Sequence, residues 1–239
     1  MPKGYFTLYV LRTRLTLTTT HYDETYFVRQ LSKSDAKISW HYNRVFGLAG
    51  VTPAGRVLDV GCGAGPGLRY FAARGAQAIG VDLVHYPLVE TQRLAPAAHL
   101  AQGDVGRNLP FADASFDLLL LSELIEHIEY ERPLLAECHR VLRQGGALVI
   151  TTPNLWDIRR MLAPVTGHVW TGDTDPTHCN MFTPTRLVSA LRLAGFTQVR
   201  WRTGIKPMHW LSSRRLRMRL ALPYPPLVGN GLLAVGRRD

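Results

Sequence analysis

The chain has 239 residues, 46% of them apolar and 19% charged, enough apolar material for a real core and too much for a disordered, collagenous or low-complexity chain. Its formal net charge of +10 is uneven: residues 1–44 hold seven Lys/Arg against three acids, 45–198 twelve against fourteen, and 199–239 nine against one. Cysteines at 62, 138 and 179 make neither a disulfide framework nor a CxxC metal pair, so a reducing cytoplasmic setting is expected.

Taken in chain order, the apolar stretch Tyr5–Leu11 is followed by Arg12 and Arg14 with no small-residue cleavage site, which reads as neither signal peptide nor anchor. Tyr22, Tyr26, Phe27, Trp40, His41, Tyr42 and Phe46 give residues 22–46 an aromatic-rich helical character, and 1–50 are expected to form a helical cap. From Arg56 the pattern alternates. Arg56–Val60 reads as a strand, followed by a glycine cluster and a helix through Arg74. Gln77–Val81 is a second strand, Pro87–Leu94 a helix and His99–Gln102 a third strand. Phe116–Leu121 is a fourth strand without polar alternation, as suits a strand covered on both faces, and it is far too short to span a bilayer. A helix over Pro133–Leu142 ends at Gln144-Gly145-Gly146, and a strand follows over Ala147–Thr151. Thr183-Pro184 reads as an N-cap with Pro in the first turn of a helix that stops at Gly195. Phe196–Arg202 and Gly231–Gly236 are the last strands. This alternation predicts an α/β fold, a doubly wound and mostly parallel sheet over 51–239, with insertions at about 155–180 and 204–230.

The turn after the first strand reads Asp59-Val60-Gly61-Cys62-Gly63-Ala64-Gly65-Pro66-Gly67. Glycines permit a tight turn and a close ligand, and the following helix offers unpaired N–H groups. A dinucleotide-type GxGxxG beginning at Gly61 needs glycine at 66, where Pro66 stands. The spacing instead resembles the (D/E)xGxGxG loop of class I S-adenosylmethionine-dependent methyltransferases, over about 55–155 and more loosely 184–203. That resemblance implies a seven-stranded Rossmann-like sheet. It also places Asp82 on the ribose hydroxyls, Asp104 with the backbone of Val105 on the adenine amino group, and Leu121-Ser122 near the methionine end. With Asp59, Gly61, Cys62, Gly63, Gly65 and Leu83, these make up the expected cofactor site. The residue types suit it, since a carboxylate is acceptor-only and a ribose offers two donors. Taken singly, the glycines serve a turn equally well, and Asp82 or Asp104 a helix cap.

Beyond the fourth strand the chain reads Ser122-Glu123-Leu124-Ile125-Glu126-His127, and in a helical turn Glu123, Glu126 and His127 would share one face. With His178 from the later Asp175-Pro176-Thr177-His178, they offer two carboxylates and two imidazoles to a divalent ion, Mg²⁺ or Mn²⁺, with imidazoles favouring Mn²⁺, Fe²⁺ or Zn²⁺. The ExxEH…H arrangement is similar to that of small-RNA 2′-O-methyltransferases. Ubiquinone-pathway O-methyltransferases share its first part, metal-free members often carry the EH pair, and HxxxFTP resembles methyltransferases of glycan and lipid pathways. Without a metal, His178 and His127 are the candidate proton acceptors, or else orient the substrate. The chain lacks an (N/D/S)PP(Y/F) motif here, which points to oxygen acceptors, with carbon as the alternative, and away from DNA.

Trp210–Leu220 (WLSSRRLRMRL) alternates arginines with Leu and Met; as a helix it would be basic and amphipathic. With the basic N-terminal flank it suggests an anionic membrane surface or RNA. The expected function is methyl transfer to a hydroxyl of a small, glycan or lipid-linked acceptor, by a protein that is cytoplasmic or peripheral at the membrane. The alternatives are metal-assisted RNA 2′-O-methylation and non-catalytic binding of S-adenosylmethionine.

Overall fold

The structure, a computed structural model, describes residue 27 and residues 31–167, 169–205, 208–212, 219–222 and 225–239, with only the backbone for 208–212 and 219–222. The first element is helix α1 (Asp35–Ala49). Then follow β1 (Arg56–Val60), α2 (Pro66–Ala72), β2 (Gln77–Asp82), α3 (His85–Leu94), β3 (His99–Gln102) and β4 (Phe116–Ser122). A 3₁₀ turn (Ile125–His127) leads to α4 (Glu131–Val141), β5 (Leu142–Thr152), the one-turn helices α5 (Ile158–Met161) and α6 (Ala163–Thr166), and α7 (Pro184–Leu193). The chain closes with β6 (Thr197–Thr203), β7 (Met208–Ser212), β8 (Arg219–Leu222) and β9 (Leu232–Arg237).

Seven strands form one sheet in the order β3-β2-β1-β4-β5-β9-β6, and β7 and β8 pair separately. All neighbours are parallel except β9, which runs antiparallel to both β5 and β6. The apolar runs of β1 and β4 lack polar alternation because helices cover both faces. Side chains then divide by parity. Leu58, Val60, Leu119, Leu121, Leu148 and Ile150 pack with Leu134, Cys138, Leu187 and Leu191 of α4 and α7. Val57, Leu118, Leu120 and Val149 pack with Val45, Phe46, Leu68 and Phe71 of α1 and α2. Of the helical cap expected over residues 1–50, 1–26 and 28–30 lie outside the described residues, and α1 is its longest described part. It rests on α2 through Tyr42, Phe46, Tyr70 and Phe71, with Phe46 stacked on Tyr70 at 5.8 Å between centroids. Successive strands leave β1 toward one edge and β4 toward the other. The crevice above their carboxyl ends is therefore the switch point at which open α/β sheets bind ligands.

Two expectations are corrected. The helix expected over Trp210–Leu220 is not formed: Met208–Ser212 and Arg219–Leu222 are antiparallel strands, while 213–218, with Arg214, Arg215 and Arg217, lie outside the described residues. Cross-strand pairing satisfies the N–H and C=O groups that a helix would have satisfied internally. Strand β5 starts at Leu142 rather than Ala147, and its pairing shifts register between Phe116/Leu142 and Leu118/Ala147, around the Gly145 residue at φ 76°.

Candidate active site

The three loop glycines stand where the backbone demands them: Gly61, Gly63 and Gly65 have φ of 70°, 50° and 71°, a region that costs other residues a Cβ clash. Space adds a second constraint, since a Cβ on Gly61 would lie 2.6 Å from Leu124 Cδ1, and one on Gly67 would lie 2.2 Å from Asp59 Oδ2. The turn is tied to β2 by Gly61 and Cys62 N–H bonds to the Val81 carbonyl, 2.8 and 3.1 Å. It ends in α2, with Pro66 in the first turn and the Arg69 N–H bonded to the Gly65 carbonyl at 3.0 Å.

Asp82, the last residue of β2, receives the Gly63 N–H on Oδ2 (2.7 Å) and the Val84 N–H on Oδ1 (3.0 Å). Each oxygen keeps a second lone pair for a ligand hydroxyl, and the carboxylate cannot rotate away. Burial pushes its pKa up against these stabilising N–H bonds. Asp104 sits past the end of β3. Its Oδ1 takes the Gly106 N–H (3.0 Å) and its Oδ2 faces Arg107 Nε at 3.2 Å, so it caps its own turn while its side chain stays 46% exposed.

Asp59 lies under the glycine turn, 2% exposed, and burial together with the nearby Asp82 pushes its pKa up to about 8. It therefore keeps its proton in the fold at neutral pH. The same interaction raises the pKa of Cys62, for which burial is again the larger cause. A raised carboxyl pKa means that the folded state binds a proton the unfolded chain has released. Its stabilising share is complete below pH 4 and disappears as pH rises toward 8. Asp59→Asn is accordingly expected to gain on the wild type between pH 5 and 8 by roughly 1 kcal/mol per pH unit, about 2–4 °C in Tm for each kcal/mol. Thermal melts across that range, with parallel curves as the contrary outcome, test it.

Tyr42 of α1 comes down beside this group, buried, with its hydroxyl hydrogen-bonded to Ser122, and burial and Asp59 raise its pKa strongly. The sequence placed Tyr42 only in an aromatic helix; nothing local announces its meeting with β4, eighty residues on.

The helical turn expected over Glu123–His127 is a 3₁₀ turn that begins at Ile125, and Glu123 precedes it at φ 54°. The shared face is therefore not formed. Glu126 is fully buried under the turn, where its Oε2 accepts from Thr152 Oγ1 at 2.9 Å. Its Oε1 has no hydrogen-bond partner in a site closed to solvent, and burial, reinforced by Glu123, raises its pKa. Glu123 and His127 face the crevice.

The segment 175–182 is laid across this turn by Cys179 and Asn180 N–H bonds to the Glu126 carbonyl, both 3.0 Å, and by Asn180 Nδ2 bonds to the Ile128 carbonyl and Glu131, both 2.9 Å. His178 thereby stacks near His127, centroids 4.8 Å apart. Thr177 Oγ1 donates to Asp175 Oδ1 (2.5 Å), so it must accept from His127 Nδ1 (2.8 Å), which fixes the ring's N–H on Nδ1 and its lone pair on Nε2. His178 likewise donates Nδ1–H to the Gly172 carbonyl at 2.7 Å. Burial and His178 lower the His127 pKa to about 4, outweighing the pull of Asp175. Among the described residues, one group of potential metal ligands forms here: Glu126, His127 and His178 offer atoms within 4.8 Å of one another, and Glu123 falls outside it.

The insertion after β5 is pinned by two buried side chains. Asp157 caps α5 through the Arg159 N–H and receives Trp170 Nε1 at 3.1 Å, while Asn154 Nδ2 binds the Leu227 and Gly229 carbonyls at 2.7 and 2.8 Å. Its outer surface leaves Met161, Leu162, Val165 and Val169 exposed.

These parts enclose a crevice of about 2380 Å³. Asp59, Gly61, Cys62, Gly63, Asp82, Leu83, Asp104, Val105 and Ser122 line it, together with Glu123, His127, Asp157 and Trp170. Gly65 and Leu121, also expected at the cofactor, do not: Gly65 supplies the bend into α2, packed against Thr91, and Leu121 is buried in the sheet. His178 stands behind His127, off the crevice wall, with an 11% exposed side chain. The donor set suits S-adenosylmethionine: a clamped acceptor pair on Asp82, an exposed acid on Asp104, and room for a second molecule beyond the cofactor. Thr177 and Asp175, which orient His127, were missed as site residues although they adjoin His178 in the chain.

Residues 58–150 match a family described as a methyltransferase domain. A probable S-adenosylmethionine-dependent methyltransferase of Mycolicibacterium smegmatis is 35% identical over 102 residues, 42% of this chain and 39% of that protein. A malonyl-[acyl-carrier protein] O-methyltransferase of Enterobacter lignolyticus is 32% identical over 127 residues, 53% of this chain and 48% of that one. The match therefore spans about half or less of the length of these relatives. A solved SAM-dependent methyltransferase from Archaeoglobus fulgidus shares the fold, with TM-score 0.64 at 19% identity over 90% of this chain and all of that one. Among the described residues no helix is long and apolar enough to cross a membrane. In its glycine turn, strand-end acids and sheet order the chain is similar to class I S-adenosylmethionine-dependent methyltransferases, and its residues 58–150 match the methyltransferase-domain family.

Proposed function

We propose that this protein catalyses transfer of a methyl group from S-adenosylmethionine to a hydroxyl oxygen of a small acceptor, glycan or lipid-linked. The observation that carries the reading is that the glycine turn, Asp82 and Asp104 line the same crevice as Glu123 and His127, so cofactor groups and a proton-handling group share one space. When bound, the sulfonium supplies an activated methyl: the acceptor oxygen forms the new C–O bond as the C–S bond breaks toward sulfur, and the hydroxyl proton must leave. The protein's share is mostly alignment, an effective-molarity contribution. Asp82 and Asp104 hold the nucleoside end. The Tyr42–Ser122 pair forms the floor by Asp59. The proton leaves on the His127 side, the imidazole that reaches the wall with its Nδ1–H already committed to Thr177.

The name of the Enterobacter relative, an O-methyltransferase, supports oxygen as the acceptor atom. Met161, Leu162, Val165 and Val169 are exposed on the outer surface of the insertion, an apolar patch that suits an acceptor with a hydrocarbon portion. RNA is the second class that the basic flanks suggest, but Arg12, Arg14, Arg29, Arg214, Arg215 and Arg217 lie outside the described residues. The test is formation of S-adenosylhomocysteine with panels of lipid-linked sugars, isoprenoid phenols and short RNAs, each product weighed by mass spectrometry. A methyl ether on a small acceptor is expected. Methylation of nitrogen or RNA alone would replace the acceptor assignment, and tight cofactor binding without turnover on any panel would make the protein a non-catalytic binder.

A further inference from the structure

We infer that Arg56, Gln77 and His99 form a second binding site, one that takes the phosphate group of a small ligand at the amino ends of β1, β2 and β3.

Backbone register brings the three together. Arg56 pairs with Gln77 across β1 and β2, and Ile79, two residues on, pairs with His99 of β3. Alternate residues of a strand share a face, so all three side chains stand on the face that carries Leu58 and Ile79. Elsewhere on that face α4 and α7 cover the sheet. Here β3 passes to β4 through 103–115 without a helix, and the crevice continues down the strands past Ile79 and Phe111 to Arg56, Gln77 and His99. Its outer wall is held by Arg140 of α4, which binds the Leu109 and Phe111 carbonyls at 3.0 and 2.8 Å and Asp113 at 2.7 Å. The place lies about five residues down β2 from Asp82, roughly 16 Å, so a small ion there stands clear of that carboxylate.

Arg56 supplies the reason for a ligand. Its guanidinium carbon lies 5.5 Å from the centroid of Phe116, a ring that Phe111 meets edge-on at 5.1 Å. Its Nε is sealed from solvent with no hydrogen-bond partner. A buried charged donor left unmatched is a cost that folds seldom leave uncompensated. The adjoining acid does not serve it: Asp117 receives the Arg56 main-chain N–H on Oδ2 at 2.7 Å and Arg143 on Oδ1 at 2.8 Å. Among the described residues the acids on the crevice wall are Asp59, Asp82, Asp104, Glu123, Glu129 and Asp157, all toward or beyond the carboxyl ends of the strands. The amino end of this face brings a guanidinium, an amide and an imidazole, and no carboxylate. A guanidinium fork matches two oxygens of an anion, and Gln77 and His99 flank it with further N–H donors. A phosphate has oxygens for all three groups, whereas a carboxylate occupies the fork alone.

The test is titration of the full chain with inorganic phosphate, with sodium chloride holding the ionic strength constant, followed by nitrogen-15 NMR and by thermal melts. Saturation in the millimolar range is expected, read as a shift of the Arg56 Nε–H and Gln77 side-chain amide signals, with a rise in Tm from preferential binding to the fold. Arg56→Met keeps an apolar contact with Phe116 and removes the unmatched donor. It is expected to fold, to keep its affinity for S-adenosylhomocysteine, and to lose at least tenfold in phosphate affinity as followed on the Gln77 amide. Arg56→Lys keeps the charge without the fork and falls between the two. Acetate is expected to bind several-fold more weakly than phosphate. Glycerol phosphate forms a second arm: equal or weaker affinity assigns the site to the free ion, and tighter binding with shifts at Phe111 assigns it to a phosphate ester. No saturable shift at tens of millimolar phosphate overturns the site. So does a Tm rise of equal size in the wild type and Arg56→Met, because that reports only exclusion of the ion from the protein surface. Phosphate that displaces S-adenosylhomocysteine also overturns it, since the ion would then bind in the cofactor's place. None of these outcomes bears on the methyl-transfer reading, which has its own assay.

Discussion

Replacing Asp82 by alanine is expected to lower the affinity for S-adenosylhomocysteine by about 100-fold, the largest effect of any single change on cofactor binding. Two ribose hydroxyls on one carboxylate make two charge-assisted hydrogen bonds. If each contributes about 1.5 kcal/mol, the sum of roughly 3 kcal/mol is two decades in affinity. The carboxylate also clamps the Gly63 and Val84 N–H groups, so the loss includes some order of the glycine turn. Asp82→Asn separates the two contributions. Its amide oxygen can keep one N–H bond, but its NH₂ must face a second backbone donor, and an intermediate loss of about tenfold follows. Asp104→Ala is expected to cost much less, because that side chain is half exposed and already engaged with Arg107. Calorimetric titration of the three variants decides. Unchanged binding in Asp82→Ala would mean that the ribose lies elsewhere and that Asp82 merely caps its turn.

His127→Ala is expected to lower kcat by about 10²–10⁴-fold, the usual worth of a positioned proton acceptor, with little change in the KM for S-adenosylmethionine. The pH dependence carries the sharper signature. An exposed histidine loses its lone pair below about pH 6.5. Here burial and His178 lower the pKa to about 4, so kcat should hold from neutrality down to about pH 5 and fall only below it. The same shift has a stability consequence of opposite sign to that of Asp59. A depressed histidine pKa means that the unfolded chain gains a proton between pH 6.5 and 4 that the fold refuses. Its contribution is therefore complete above pH 6.5 and is lost as pH falls through that window. Thermal melts of His127→Ala should lack this slope. A kcat that declines already through pH 6.5 would place the titrating group elsewhere.

The local signals were read correctly where one segment supplied both the pattern and its reason. The glycine turn is legible because Gly61, Gly63 and Gly65 all need positive φ, a property of the residue itself. The end of β2 at Asp82 is legible because the apolar run Ala78–Val81 stops there, whereas β3 offers only Leu100 and Ala101 between His99 and Gln102. The helix expected over Trp210–Leu220 failed for the matching reason. An alternation of arginine with Leu and Met suits a helix face and a strand face alike, and the described ends of the segment, Met208–Ser212 and Arg219–Leu222, pair as strands. The ExxEH string misled in a similar way, because i, i+3 and i+4 share a face only in an α-helix. A positive φ at Glu123 and a 3₁₀ turn after it send Glu126 into the core and His127 to the crevice.

The sequence by itself determined the order of strands and helices, the glycine turn and the acids that follow the second and third strands. Each of these rests on backbone preference or burial period within a few neighbouring residues. Only the tertiary structure decided that β9 enters antiparallel between β5 and β6, that Tyr42 meets Ser122 over Asp59, and that Thr177 and His178 arrive behind His127. Those contacts join residues from about thirty to more than eighty positions apart. Their partners are selected by how whole helices and the segment 175–182 pack on the sheet, and no local period encodes that choice.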